Sequence, residues 1–338
     1  MLLTGKLTGA ALLSVLLWMT IDWHEALTVV AHANRSLLVG AFCASVGTVL
    51  ISARKWQLLL QRARIGVGFP AAAQLYWIGA FFSNFMPTGI GGDAVRLMMT
   101  PAPGGRGRVA ATILIERLTG LLVMLGLSVI GLLILPLDLG GPVPLFVTIA
   151  GVAGLAVAVT VVLFMPARFL GLLEIVQPYL PGFARAPFAF AHRIAVSVLG
   201  RDCSAAAVWG ALLYSLPFYG AMMLAQYCML RAAGADVGML AVVLGAPLVA
   251  LVTLLPITVN GLFLAEGAFV LIYASTGIPA EVALAAAILR RLVDLANSGL
   301  GSVLWLAWQL GSADLDQHGR DRRPSRTSSI SATASARF

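Results

Sequence analysis

Charged side chains stand at a few positions inside the apolar segments of this chain, where charge is costly. In the first half these are Asp93 and Arg96, followed by Glu116 and Arg117. A charged group at the centre of a membrane-spanning helix costs at least about 2.5–3.5 kcal/mol. Arginine suits phosphate because its planar fork binds two oxygens at once. We therefore predict that the arginines bind an anionic group and that the acids orient them or bind a cationic group.

A second cluster lies in the last apolar segment, where Arg290, Arg291 and Asp294 occur close together. On a helix, Arg290 and Asp294 are at positions i and i+4, and Arg291 and Asp294 are at i and i+3, so the side chains are neighbours. Two interpretations stay open. The arginines reach into a cavity that receives an anionic headgroup, or the cluster is an internal ion pair that holds helices together.

Both clusters belong to one repeated pattern: an apolar stretch ends at a proline, glycines and an acid follow, and an arginine-bearing apolar segment comes next. The first copy contains Asn84, Pro87, Gly89, Gly91, Gly92 and Asp93. The second copy contains Pro256, Asn260, Gly261 and Glu266. Glycines let backbone amides approach a ligand, and a helix start favours anions; the alternative for Asp93 is a simple helix cap. Matching helix breaks in two halves indicate the binding site of a membrane transporter.

Composition assigns the chain to the all-α, polytopic membrane proteins. Of 338 residues, 60% are hydrophobic and 11% charged, and the mean hydropathy is +0.95. A soluble domain needs more charge to cover its surface. Full-length spans are predicted at 5–22, 36–53, 110–135, 143–165, 204–230 and 281–310. The net charge is +8, and the arginines cluster between these spans, as the positive-inside rule predicts. Because no nucleic-acid recognition fold is visible in the sequence, we expect no nucleic-acid partner.

Charge also predicts the orientation. Arg54, Lys55, Arg62 and Arg64 are interpreted as a cytoplasmic loop, which places the N-terminus in the cytoplasm. The C-terminal tail, rich in arginine, is then cytoplasmic as well. We expect the first span to be retained rather than cleaved as a signal peptide.

Two shorter apolar stretches, 69–99 and 239–275, contain the proline–glycine breaks and are predicted to be re-entrant hairpins that enter from opposite faces. The predicted architecture is therefore an inverted repeat of three spans plus one hairpin per half. Repeat one covers about 1–136 and repeat two about 143–310. The alternative is that the hairpins are ordinary pairs of spans, giving about eight to ten crossings.

Outside the spans, the sequence is polar or mixed. Residues 166–203 are amphipathic and are predicted to form short helices at the membrane interface. The membrane domain is expected to end near residue 310, and the polar segment 311–338 is predicted to be disordered because it cannot bury enough apolar surface to fold.

Catalytic and metal-binding motifs are lacking in the sequence. The cysteines at 43, 203 and 228 form no CxxC pair, and no GxSxG or HExxH motif occurs. Asp93, Glu116 and Glu266 could act as general bases, but no nucleophile accompanies them. We therefore expect neither an enzyme nor a bound metal or cofactor.

At the two repeated motifs the chain resembles the lysylphosphatidylglycerol synthase transmembrane region family, also called flippase-like domain proteins. The resemblance covers most of residues 30–310 and includes Glu116-Arg117 and the segment from Leu255 to Phe269. The chain departs from the family's pattern at Phe263, where a glycine is common, and at Ala265, where an arginine often precedes the glutamate. It also has Thr119 and Gly120 where relatives often carry an acid.

The resemblance implies movement of lipids, notably aminoacylated phosphatidylglycerol, between the leaflets of a bacterial inner membrane. Synthase members carry an additional cytosolic aminoacyl-transferase domain, which this sequence lacks, so the synthase reaction is not expected here. Stand-alone members often belong to glycolipid, hopanoid or cell-envelope pathways. A phospholipid or glycolipid is thus the expected partner, with an envelope-biosynthesis enzyme as a further possible one.

The sequence thus predicts a lipid translocase that moves an anionic or aminoacylated phospholipid or a glycolipid. The predicted binding residues are Asn84, Gly91, Asp93, Arg96, Glu116, Arg117, Asn260, Glu266, Arg290, Arg291 and Asp294. The predicted helix breaks are Pro87, Gly89, Pro256 and Gly261. The alternatives are a small-solute transporter and a non-catalytic membrane partner of a glycosyltransferase or other lipid-modifying system.

Overall fold

The computed structural model describes residues 22–85, 91–102, 105–135, 137, 141–176, 196, 205–255, 258 and 262–321. In these residues the regular secondary structure consists of α-helices, so the predicted all-α fold is confirmed. The helices of the first half are α1 Trp23–Ala31, α2 Arg35–Arg62, α3 Phe69–Phe85, α4 Gly91–Met99 and α5 Arg106–Ile134. The later helices are α6 Pro142–Phe164, α7 Pro166–Val176, α8 Ala205–Ala232, α9 Met239–Thr253, α10 Leu264–Ala274 and α11 Ala280–Asp321.

Four of the described helices, α2, α5, α6 and α8, are long and apolar enough to cross a membrane. They coincide with four of the predicted spans, which makes the chain a multi-pass membrane protein. The predicted span 281–310 forms part of one continuous helix, α11. Nearly all of the predicted span 5–22 lies outside the described residues.

The end of α2 corrects one prediction. The helix continues to Arg62, so Arg54 and Lys55 lie within it rather than in a loop. The reason is packing: the same turns bury Trp56, Leu59 and Leu60 in the core, and an apolar face of this kind extends a helix beyond its first charged residue.

The stretch 69–99 folds into a pair of antiparallel helices, α3 and α4, that pack against each other. Gly92 lies against Gly79, and the Gly92 amide donates a hydrogen bond of 3.1 Å to the Ser83 hydroxyl. The break predicted at Pro87 and Gly89 falls at 86–90, outside the described residues. The two-helix hairpin agrees with the sequence; its re-entrant course and the inverted repeat stay predictions.

Gly92 provides a direct test of this hairpin. A Cβ at Gly92 would overlap the Gly79 carbonyl oxygen, whereas a Cβ at Gly267 in α10 would meet nothing within 4 Å. We expect Gly92→Ala to lower the free energy of unfolding by about 1–3 kcal/mol. Gly267→Ala, the matched control, should leave it unchanged or raise it by up to about 1 kcal/mol. Unfolding in detergent micelles measures both, and equal effects would contradict the close approach.

The stretch 239–275 forms the second helical hairpin, α9 and α10. Gly245 of α9 lies against Ile272 and Tyr273 of α10, so the two helices pack closely against each other. Phe263, directly before α10, has φ 62°, a left-handed conformation that favours glycine. This backbone is the physical reason for the expectation of a glycine at this position. Pro256, Asn260 and Gly261 lie outside the described residues.

The largest apolar core lies among α5, α8, α9, α10 and α11. Close backbone contacts mark two of the helix crossings: Gly131 of α5 lies against the Leu244 carbonyl of α9, and Gly301 of α11 lies against the Trp77 carbonyl of α3. Helix α6 exposes Val143, Phe146 and Val147, as expected for a helix that faces lipid.

The segments outside the bundle match the predictions only in part. Helix α7 is a short helix within 166–203, as predicted, and almost all of the remainder of that segment lies outside the described residues. Helix α11 continues to Asp321, into the segment 311–338 for which disorder is predicted. Extending an existing helix needs no new nucleation, which accounts for the extra turns.

Candidate functional site

Arg96 lies at the centre of the charged cluster and is 2% exposed. Its Nη1 donates a 2.8 Å hydrogen bond to Glu116 Oε2, and its Nη2 forms a second ion pair with Asp93. The guanidinium carbon lies 4.8 Å from the ring centre of Trp56 and 4.4 Å from that of Tyr76. Two carboxylates and two aromatic faces therefore enclose this cation, so it acts as a fixed anchor for Asp93 and Glu116.

Local sequence explains how a charged residue reaches this position. Because Gly79 and Gly92 carry no side chains, α4 approaches α3 closely, and Arg96 passes beside Gly79. The surrounding groups are themselves fixed: Trp56 Nε1 donates to the Thr112 hydroxyl at 3.1 Å, and the Tyr76 hydroxyl donates to Glu116 Oε1 at 2.7 Å. Buried charges are tolerated where such hydrogen bonds and partners are complete.

Arg117 forms a bidentate ion pair with Asp93, with its Nε 3.0 Å from Oδ2 and its Nη2 3.0 Å from Oδ1. Its side chain is 56% exposed, in contrast to that of Arg96. A half-exposed guanidinium can exchange one planar anion for another, because carboxylate and phosphate offer the same pair of oxygens. Arg117 is thus the arginine of the first cluster that a ligand can reach.

A polar cavity of about 300 Å³ lies beside this cluster. Its charged lining residues are Asp93, Arg96, Arg117 and Asp294, two acids and two arginines. Its uncharged polar lining residues are Ser45, Thr48, Tyr76, Ser83, Asn84, Asn297 and Ser298. The balance of charge and the many hydroxyl and amide groups make the cavity suitable for a polar headgroup that carries both charge and hydroxyls.

The second half of the chain contributes one wall through α11. Asn297 joins two other helices, because its Oδ1 accepts a 2.9 Å hydrogen bond from Trp77 Nε1 and its Nδ2 donates one of 2.9 Å to the Ser45 hydroxyl. The Ser298 hydroxyl is buried without a hydrogen-bond partner. Asp294 pairs loosely with Arg290, with 3.6 Å between Oδ2 and Nε. This wall therefore offers a carboxylate and a free hydroxyl to a ligand.

The remaining predicted residues lie elsewhere. Arg291 Nε pairs with Glu266 Oε1 at 2.7 Å, and the other Glu266 oxygen is buried without a hydrogen-bond partner. The guanidinium of Arg290 lies 5.8 Å from the ring centre of Phe269. These three charged residues do not line the cavity. Gly91 is buried at the start of α4, and Asn260 lies outside the described residues.

Two polar residues that contact Glu116, Lys55 and Tyr76, are not among the predicted site residues. Lys55 falls in a predicted loop, yet its Nζ donates hydrogen bonds of 2.8 Å to the Glu116 backbone oxygen and to the Ser215 hydroxyl. The available signal was the polar spacing Ser45, Thr48, Ser52 and Lys55, which places four polar residues on one helix face. For Tyr76, one tyrosine among many apolar residues, the sequence contained no comparable signal.

No metal centre occurs in the part of the chain that the structure describes, since no group of three or more histidine, cysteine, aspartate or glutamate side chains could hold an ion there. The charged cluster is instead an alternating arrangement of acids and arginines. It can bind ions of either sign by exchanging one member of a pair.

Comparisons with curated proteins and with solved structures gave no match. The family model described as the lysylphosphatidylglycerol synthase TM region matches residues 6–301, which include both repeated motifs and all the cavity residues named above. The resemblance noted in the sequence is thereby confirmed. The chain belongs to the lysylphosphatidylglycerol synthase TM region family.

Proposed function

We propose that the protein is a lipid translocase whose cavity receives the polar headgroup while the acyl chains stay in the bilayer. The observation that carries the proposal is a charged, hydroxyl-lined cavity inside a bundle of apolar helices. Ionisable side chains at membrane depth mark substrate pathways, because they are otherwise too costly to keep. Family membership supports the same conclusion.

Headgroup binding would proceed by exchange of ion pairs. A phosphate would replace Asp93 on Arg117, since Arg117 is the exposed member of that pair. The Asp93 carboxylate, which would keep its ion pair with Arg96, could then accept an ammonium group together with Asp294. Hydroxyls of Ser45 and Ser298 would bind the sugar or glycerol part. The cavity thus suits an anionic or aminoacylated phospholipid, or a glycolipid.

The proposal assigns no catalytic step to these residues. The proposal places the protein in the inner membrane of a bacterium with both termini in the cytoplasm, an orientation that the arginine distribution supports. Access would require movement of the α3–α4 hairpin against neighbouring helices, because this hairpin supplies a large share of the cavity's lining residues.

One observation favours a second candidate, a non-transporting membrane partner of an envelope-biosynthesis enzyme. Both Arg96 and Arg117 already have carboxylate partners within the chain. Such complete pairing is also what charged residues that only join helices would show. In that case the cavity would bind no lipid, and replacement of its residues would change assembly with a partner rather than translocation.

Reconstitution into liposomes separates the two candidates. We expect the wild type to expose fluorescent phospholipid from the inner leaflet and Arg117→Ala to lower the rate by about 10-fold or more, which corresponds to about 1.4 kcal/mol of lost headgroup binding. Arg62→Ala, an exposed arginine at the end of α2, is the matched control and should translocate at the wild-type rate. Equal rates in all three proteins would remove Arg117 from the mechanism. No translocation by the wild type would favour the partner role.

A further inference from the structure

Lys55 is a buried lysine that has no role in the proposed headgroup site. It is 5% exposed, and its Nζ donates hydrogen bonds of 2.8 Å to the Glu116 backbone oxygen and to the Ser215 hydroxyl. Among the described residues, no carboxylate lies within ion-pair distance of this amine. The two direct hydrogen-bond acceptors of Lys55 are therefore uncharged oxygens.

Both hydrogen bonds are compatible with either protonation state of the amine. The Ser215 hydroxyl donates to the Ala211 backbone oxygen at 3.0 Å, so its oxygen serves as an acceptor toward Lys55. An ammonium group has three N–H bonds and a neutral amine has two, which matches the two acceptors described. Removal from water disfavours a charged amine that lacks a counter-ion. The site thus accommodates the gain and the loss of one proton.

Three residues with hydroxyl groups share a helix face with Lys55, and two of them line the cavity. Ser45, Thr48 and Ser52 lie on the same face of α2 as Lys55, at spacings of three or four residues. Ser45 and Thr48 line the cavity. From the opposite side Tyr76 also lines the cavity, and its hydroxyl donates to the side chain of Glu116, the residue whose backbone oxygen accepts from Lys55.

The ionisable groups around Lys55 belong to the headgroup site. Glu116, whose backbone oxygen accepts from Lys55, is followed on α5 by Arg117, the exposed arginine of the ion pair with Asp93. The helices packed around α2 bring the following further ionisable residues to this region: Tyr76 on α3, Arg96 on α4, Tyr219 on α8 and Asp294 on α11. A headgroup that exchanges with Asp93 on Arg117 would change the charge beside Lys55.

We propose that Lys55 is a proton-binding site linked to the cavity, which gains or releases one proton when a headgroup exchanges into the Arg117–Asp93 ion pair. The N–H bond of the amine is the only bond made or broken, and the proton passes to or from water in the cavity. The link between this proton and a lipid headgroup rests on the proposed translocase function. The proton site itself can be tested without any lipid.

The sequence allows an unusually direct test, because its lysines are Lys6 and Lys55. In a Lys6→Arg protein labelled with ¹⁵N-lysine and held in lipid nanodiscs, one side-chain amine resonance remains. We expect it to titrate reversibly between about pH 6 and pH 9. A resonance that stays at the position of an ammonium group throughout this range would overturn the proposal. The measurement leaves Lys55 unchanged, so it does not depend on a variant that fails to fold.

A pH difference imposed across proteoliposomes tests the link to the lipid. For one proton per lipid, the wild-type translocation rate should change by up to about tenfold per pH unit, and Lys55→Met should abolish this dependence. Lys6→Met is the matched control and should keep it. Translocation with a Lys55 that never titrates would refute the proton site alone. A titrating Lys55 in a protein that moves no lipid would refute the translocase function alone.

Discussion

Replacement of Glu116 with alanine should lower the free energy of unfolding by about 3 kcal/mol, toward the lower end of the range for a broken buried ion pair. The change leaves the guanidinium of Arg96 buried with Asp93 as its remaining carboxylate partner. It also removes the acceptor of the Tyr76 hydroxyl. Denaturant unfolding in micelles, followed by tryptophan fluorescence, measures the loss, since Trp56 lies against Arg96.

Two further proteins show whether charge is the cause. Glu25→Ala, an exposed glutamate on α1, is the matched control and should change stability by less than about 0.5 kcal/mol. The double replacement Arg96→Met with Glu116→Met should be more stable than Glu116→Ala, because it leaves no buried guanidinium that has lost one of its two carboxylate partners. If the double variant is the less stable of the two, the cost lies in packing rather than in the lost ion pair.

Charge reversal at Asp294 should change which headgroups the cavity accepts. Asp294 lines the cavity, its side chain is 47% exposed, and its ion pair with Arg290 is loose at 3.6 Å. A unit charge about 4 Å away contributes roughly 4 kcal/mol near a protein surface, and solvent reduces this value. We expect Asp294→Lys to shift the ratio of translocation rates toward an anionic lipid, relative to an aminoacylated one, by at least about tenfold.

The measurement is a pair of liposome assays that differ only in the headgroup of the fluorescent lipid. Glu281→Lys makes the same charge change near the start of the same helix, outside the cavity lining, and should leave the ratio unaltered. An equal shift in both variants would mean that the net charge of the protein, rather than the wall of the cavity, selects the lipid.

Much of the architecture is readable from the sequence because membrane-spanning helices depend on local composition. The apolar runs that became α2, α5, α6 and α8 are long, and lipid leaves few alternatives to a helix. The pairing of acids with arginines in the first cluster was also predictable, since charges within apolar segments need partners. The specific partners could not be predicted, because the pairs Asp93–Arg117 and Arg96–Glu116 depend on how α4 crosses α5.

The interpretation was wrong where a residue has two ordinary roles. A lysine at the end of an apolar run usually marks a loop, and only the packing of α2 against α8 shows Lys55 to be interior. Neighbouring positions on α11 proved equally ambiguous. Asp294 lines the cavity while Arg290 and Arg291 do not, although all three belong to one predicted cluster. Helical spacing gives neighbours on a surface but not the partner that the surface faces.

For the proposed translocase, the close approach of α3 and α11 at Gly301 limits where a lipid could enter the cavity from the bilayer. The backbones of α3 and α11 are in close contact at Trp77 and Gly301, and the hydrogen bond between Trp77 and Asn297 stabilises the same helix crossing. We therefore expect these two helices to move together. Helix α4, by contrast, packs less extensively against α5 than against α3. The contact between α4 and α5 includes the ion pairs Asp93–Arg117 and Arg96–Glu116. A headgroup that replaces Asp93 on Arg117 would break one of the ion pairs between α4 and α5. We therefore expect lipid to enter the cavity from the bilayer between these two helices.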